Sequence, residues 1–122
     1  MAHITSYRDL EVWQLGIELV ERCHRLVMSL PYNQRFVFGD QILRAAVSIP
    51  ANIAEGNRRT RRAYINHLSI ALGSQAELET HLTVISRLKL STPPILAETE
   101  GLAQSVGRLL HGLRNSLERT DV

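Results

Sequence analysis

Cysteine, lysine, aromatic residues and long apolar runs are all scarce in this chain of 122 residues. The lone cysteine, Cys23, leaves no intramolecular disulfide and no thiolate metal cluster within one chain. Trp13 and Tyr64, two of the few aromatics, fall at helical spacing as core anchors, not as a platform for stacking bases. No segment approaches the roughly 20 apolar residues that a membrane span needs. The stretch from Met1 to Asp9 lacks the apolar run of a signal peptide, so a cytoplasmic location is expected. No Gly-x-Ser-x-Gly, P-loop or dinucleotide-binding glycine pattern occurs, and no strand pattern, repeat or low-complexity stretch. Neither sign of charge dominates: a formal net charge of +2 is too small to mark a nucleic-acid binder by itself. Thirteen of the fourteen cations are arginine, the residue suited to gripping carboxylate or phosphate, or simply the habit of a GC-rich genome.

What is present is an ordinary globular composition, 44% hydrophobic and 21% charged, in a chain long enough to bury the core of one domain. The spacing predicts four helices. The first runs from about Asp9 to Leu30, with Leu10, Trp13, Ile17, Val20, His24 and Val27 as its apolar stripe, Leu19 and Leu26 widening it, and Ser6 or Asp9 as cap. A turn at Pro31-Tyr32-Asn33 follows. The second helix, about Gln34 to Asn57, contains Pro50, which removes a backbone donor and collides with the carbonyl of Ala46. Because Ile42, Ala46, Ile49 and Ile53 keep one phase across it, a kink is expected, with a break into two short helices as the alternative. Gly56 suits a left-handed residue ending that helix. The third helix, about Thr60 to Leu90, carries a heptad seam of Tyr64, Leu68, Ala71, Gln75, Leu78, Leu82 and Ile85. Gly73 and Ser74 in its middle suggest close approach of another helix. The fourth, about Pro94 to Glu118, shows Leu102, Val106, Leu109, Leu113 and Leu117 on one face, with Thr92 as a candidate cap. Short connections make this an all-α, antiparallel up-down-up-down four-helix bundle spanning residues 1–122 as a single domain, with 1–6 and 119–122 frayed.

The second helix is unusual in having a narrow polar stripe, Gln41, Arg44, Ser48, Asn52 and Glu55, in otherwise apolar or small surroundings. A helix of a lone bundle shows the opposite pattern, so neighbours on more than one side, and hence an oligomer, are expected. Polar groups on such a helix need partners, because an unpaired buried one costs about 1–3 kcal/mol. Gln75 or Glu77 of the third helix, or another subunit, would supply them; a small catalytic pocket is the less favoured alternative.

Arg58, Arg59, Arg61 and Arg62 bracket Thr60, the expected cap of the third helix. Four guanidiniums beside free amides make a candidate anion site for phosphate or an acidic surface. The competing reading is a solvated turn with Arg59 pairing back to Glu55. Metal binding has little support. Carboxylate-bridged sites in bundles use Glu-x-x-His pairs, and Glu77, Glu79, His67 and His81 never form one. His24 reads as a satisfied core histidine, and Cys23 as packing, with no activating base in view. No catalytic residue, metal ligand or cofactor is therefore expected.

Leu10-Glu11-Val12-Trp13-Gln14, the block from Gln41 through Pro50 to Gly56, and Ile70-Ala71-Leu72-Gly73-Ser74 followed by Glu77-Leu78-Glu79 resemble the bacterial four-helix-bundle proteins first noticed in intervening sequences of 23S rRNA genes. The likeness runs from about Tyr7 to Leu90. It implies a cytosolic homo-oligomer, a ring of five bundles, without established enzymatic activity. Distant relatives among retroelement accessory proteins are basic rings that bind nucleic acid and a reverse transcriptase. One departure is Ala63, which stands where an acid would complete a capping box and leaves the turn more basic. The function expected is a non-enzymatic oligomeric module contacting RNA or DNA phosphates through the Arg-rich turn. The alternative is an oligomeric scaffold for another protein.

Overall fold

The computed structural model describes residues 5–119, and these are all helix, turn and connection, with no strand among them. Four long helices make up the chain: α1 (Glu11–Ser29), α2 (Asp40–Asn57), α3 (Arg61–Arg87) and α4 (Pro93–Arg119). Each packs against two others, α1 on α2 and α4, and α3 on α2 and α4, which closes a helical bundle around one shared core. Among the described residues, no helix is long and apolar enough to cross a membrane.

The seam of α3 lies where the heptad pattern places it. Tyr64, Leu68, Ala71, Gln75, Leu78, Leu82 and Ile85 are all buried, because α3 packs against both α2 and α4. In α2, Ile42, Ala46, Ile49 and Ile53 are buried on one face, and the helix runs through Pro50 without breaking in two. Pro50 packs against Gly16 of α1, where a Cβ would make van der Waals contact with the proline Cβ at 3.4 Å.

Several expectations are corrected. In α1 Leu19, Leu26 and Val27 are buried as expected, but the rest of the buried face is Val12, Gly16 and Cys23, while Leu10, Trp13 and Val20 are only partly buried. Ile17 and His24 are exposed, so His24 is no core histidine. Ser6 caps a separate 3-10 turn, Tyr7–Asp9, and not α1, whose N-cap Leu10 makes no side-chain bond. Thr5 and Ser6 are accordingly tied down rather than frayed: both backbone amides donate to the Asp9 carboxylate at 3.1 Å. Arg119 likewise belongs to α4, while residues 1–4 and 120–122 lie outside the described residues.

The expected turn at Pro31-Tyr32-Asn33 is already helical from Tyr32 and passes through a π-helical stretch, Arg35–Gly39, into α2. Arg35 holds this corner by donating to the carbonyls of Leu30 (3.2 Å) and Met28 (2.7 Å), which satisfies acceptors that α1 leaves open at its end. In α4, Ala103, Val106, Gly107 and Leu110 are buried, and Leu102, Leu109, Leu113 and Leu117 only partly so.

Two glycines exchange roles. Gly56 is not left-handed, since no glycine has positive φ. It sits in the last turn of α2, where a Cβ would meet His67 Cβ at 2.7 Å and Tyr64 Cδ1 at 3.0 Å, so it lets α2 and α3 close on each other. Gly73 has nothing within 4 Å of such a Cβ and marks no helix approach, whereas its neighbour Ser74 does meet α2.

Candidate functional site

The polar stripe of α2 divides into a bridged half and an exposed half. Asn52 donates through Nδ2 to the carbonyl of Ser48 (2.8 Å) and to Ser48 Oγ (3.1 Å). That leaves Asn52 Oδ1, which can only accept, facing His67 Nδ1 at 3.0 Å, so Nδ1 carries the proton there. Ser48 Oγ meets Ser74 Oγ at 2.8 Å. The links from α2 to α3 thus run to Ser74 and His67, not to Gln75 or Glu77. Gln75 turns the other way, donating to the Ala103 carbonyl of α4 at 3.0 Å and to Glu79. Gln41 and Arg44 are exposed, and Arg44 pairs with Asp40 at 3.6 Å. The stripe therefore does structural bridging in its second half and is solvated in its first.

Glu55 connects this network to the basic turn. Its carboxylate accepts from Arg59 Nη2 at 2.9 Å and lies 3.9 Å from His67 Nδ1. The expected i,i+4 pair is present, in solvent, where such pairs contribute little. Arg58, Arg61 and Arg62 are exposed as well. Thr60 caps α3 as expected, its hydroxyl accepting from the Ala63 amide at 3.3 Å, so Arg61 and Arg62 occupy the first turn, where the helix dipole disfavours cations.

Folding adds a fifth guanidinium that the sequence pattern does not reveal. The 3-10 turn Tyr7–Asp9 packs against the end of α2. Arg58 Cζ stands 5.9 Å from the Tyr7 ring centroid, and Arg8 Cζ stands 5.0 Å from it. Tyr7 itself meets Trp13 edge-on at 5.5 Å, which anchors the turn to α1. Asp9 is occupied within its own turn: bonds from the Thr5 backbone and side chain hold its carboxyl below the usual range. Arg8 lies some 50 positions from the cluster in sequence, and only the docking of the N-terminal turn joins them.

Little else in the molecule is chemically reactive. Tyr64 is buried beneath the turn, and burial pushes its phenol up despite a 3.4 Å bond from Asn57 Nδ2. The Cys23 thiol is fully buried, which pushes its pKa up to about 12. A thiol reagent at pH 8 is therefore expected to label Cys23 only as fast as the protein unfolds; labelling at the rate of a free thiol would contradict this burial. Between about pH 9, where the unfolded thiol ionises, and about pH 12, the folded state holds the extra proton. Stability is expected to fall as pH rises through that window. Glu77 and His81 pair at 3.3 Å, but no group of three His, Cys, Asp or Glu suited to a metal occurs among the described residues.

A helical bundle carrying an arginine-rich connection at one end is thus the class of protein that fold and site define. The profile of the 23S rRNA-intervening sequence protein family matches residues 8–112, and the chain belongs to that family. It is also similar to a protein with unknown function from the S23 ribosomal protein family of Bacteroides thetaiotaomicron, known from a crystal structure. The two chains share 30% identity and superpose with a TM-score of 0.78, over 84% of this chain and 97% of the other. Comparison with curated proteins returns no match. Neither finding indicates a catalytic family.

Proposed function

We propose that this protein is a non-enzymatic, oligomeric accessory module of the cytoplasm that contacts nucleic-acid phosphates through the turn between α2 and α3. The observation that carries this reading is the convergence of Arg58, Arg59, Arg61 and Arg62 with Arg8 at one exposed end, opposed there by Glu55. Phosphate contacts of this kind position a nucleic acid without reading its sequence. The test is an anisotropy titration of RNA and duplex DNA across a salt series, comparing wild type with a variant lacking the four arginines of the turn. The bundle that presents the turn is read as a single antiparallel up-down-up-down domain, with α2 bent where Pro50 removes the bond to Ala46.

Oligomerisation is supported by an apolar outer face on α1 and α2. Ile17, Met28 and Val47 are 38%, 49% and 48% exposed, and half-buried Leu43 lines a shallow groove with the last two. The groove is lined by Val20, Met28, Leu43 and Val47 together with Glu21, His24 and Arg25, an apolar floor with a polar rim of the kind interfaces use. In a ring of five, each added copy of the turn multiplies the positive field. Val47→Glu is expected to shift the protein to monomer in light scattering at micromolar concentration. If the wild type is itself monomeric there, the oligomer reading is wrong. The same face also favours a second function, a scaffold whose partner is another protein and whose arginine turn only solvates.

A further inference from the structure

The groove beside the turn extends the basic surface along the bundle. Its wall on α3 is formed by Thr60, Arg62, Ala63, Ile65, Asn66 and Ser69, none of them acidic. Arg62, Asn66 and Ser69 follow one another at spacings of four and three and so share a face, over about 10 Å of helix axis. At the Ser69 end of this row, Arg114 of α4 reaches over to donate to Ser69 Oγ at 3.4 Å. Its other terminal nitrogen lies 3.4 Å from His111 Nδ1, so both contacts are long and readily exchanged for better acceptors. Its Nε is shielded from solvent with no hydrogen-bond partner, the Glu118 carboxylate being 3.7 Å away and beyond bonding reach.

We propose that Arg62, Asn66, Ser69 and Arg114 form a row of donors that takes the phosphodiester backbone of a single nucleic-acid strand leaving the Arg-rich turn. The inference rests on the phosphate-binding reading above and adds a second element to it. Two guanidiniums supply charge-assisted bonds, while the amide and hydroxyl between them supply neutral ones. No aromatic residue lines the groove, so bases would not stack in it, and binding would be indifferent to sequence.

The experiment uses the full chain and fluorescent twelve-nucleotide oligo-U RNA and oligo-dT DNA in a salt series. Arg114→Gln is compared with Arg114→Lys, with Asn66→Ala, with a turn variant lacking Arg58, Arg59 and Arg61 but keeping Arg62, and with Arg87→Gln at the far end of α3. Arg114→Gln is expected to weaken binding roughly five- to tenfold at low salt and to lower the slope of log K against log salt by about 0.7. Arg114→Lys should restore the slope. Asn66→Ala, which alters no charge, should weaken binding without altering the slope. Arg87→Gln should change neither. If Arg114→Gln and Asn66→Ala match Arg87→Gln while the turn variant loses binding, the groove is refuted and the turn stands. If the groove variants lose binding and the turn variant does not, the groove stands and the turn reading fails. Absence of binding by the wild type overturns both.

Discussion

Replacing Arg58, Arg59, Arg61 and Arg62 together by Ala is expected to remove most of the salt-dependent binding of RNA and DNA. Four neutralised phosphates correspond to a slope of about −3.6 in log K against log salt for a duplex, and about −2.8 for a single strand. Between 50 and 200 mM salt, such a contact loses roughly 50- to 150-fold in affinity, and the variant should keep only the shallow slope that Arg8 and Arg114 supply. The four positions are not equal. Arg59 is held by Glu55 at 2.9 Å and must leave that pair to meet a phosphate, whereas Arg62 lines the open groove. Arg62→Ala alone should therefore cost more affinity than Arg59→Ala. Loss of the fold is not expected to complicate the measurement. All four side chains are exposed, and cations in the first turn of α3 work against the helix dipole by about 0.3–1 kcal/mol each. A variant that stays folded by circular dichroism and binds like wild type would retire the turn as a phosphate site.

Gly56→Ala and Gly73→Ala are expected to shift stability in opposite directions, although both place the same methyl group in a helix. Alanine is favoured over glycine in a helix by about 1 kcal/mol, and at Gly73 nothing within 4 Å opposes that gain. At Gly56 the new Cβ would stand 2.7 Å from His67 Cβ and 3.0 Å from Tyr64 Cδ1. The His67 Cβ is attached directly to the α3 backbone and cannot swing aside, so the two helices must separate. Overpacking of this kind typically costs about 1–3 kcal/mol, enough to reverse the propensity gain. Urea denaturation of both variants reads the two signs directly. If Gly56→Ala proves as stabilising as Gly73→Ala, α2 and α3 are not packed this closely beside the arginine turn.

Local relations within one helix were legible beforehand. The Thr60 cap and the Arg59–Glu55 pair each join residues three or four apart, so helical spacing alone identifies them. The seam of α3 was equally plain, because seven positions from Tyr64 to Ile85 alternate by four and three and its two neighbouring helices bury all of them. In α1, by contrast, two adjacent stripes compete. Trp13, Ile17 and Val20 make one of bulkier side chains, and Val12, Gly16 and Cys23 make the other. Bulk pointed to the first, yet the second is buried, with Gly16 facing Pro50 of α2.

The site shows the same division. Ser48 meets Ser74, Asn52 meets His67, Arg8 joins Arg58 over Tyr7, and Arg114 reaches Ser69, all across gaps of 15 to 50 positions. Sequence by itself determined that the chain is helical, where its four long helices lie to within a few residues, and that arginines crowd the second connection. These follow from periodicity, proline and capping, which act within one or two turns. The tertiary structure alone decided which face of α1 turns inward, which glycine carries a helix contact, and which distant side chains share the basic end. Those outcomes depend on the shape of the surface a helix meets, and that surface is made by residues remote in the chain.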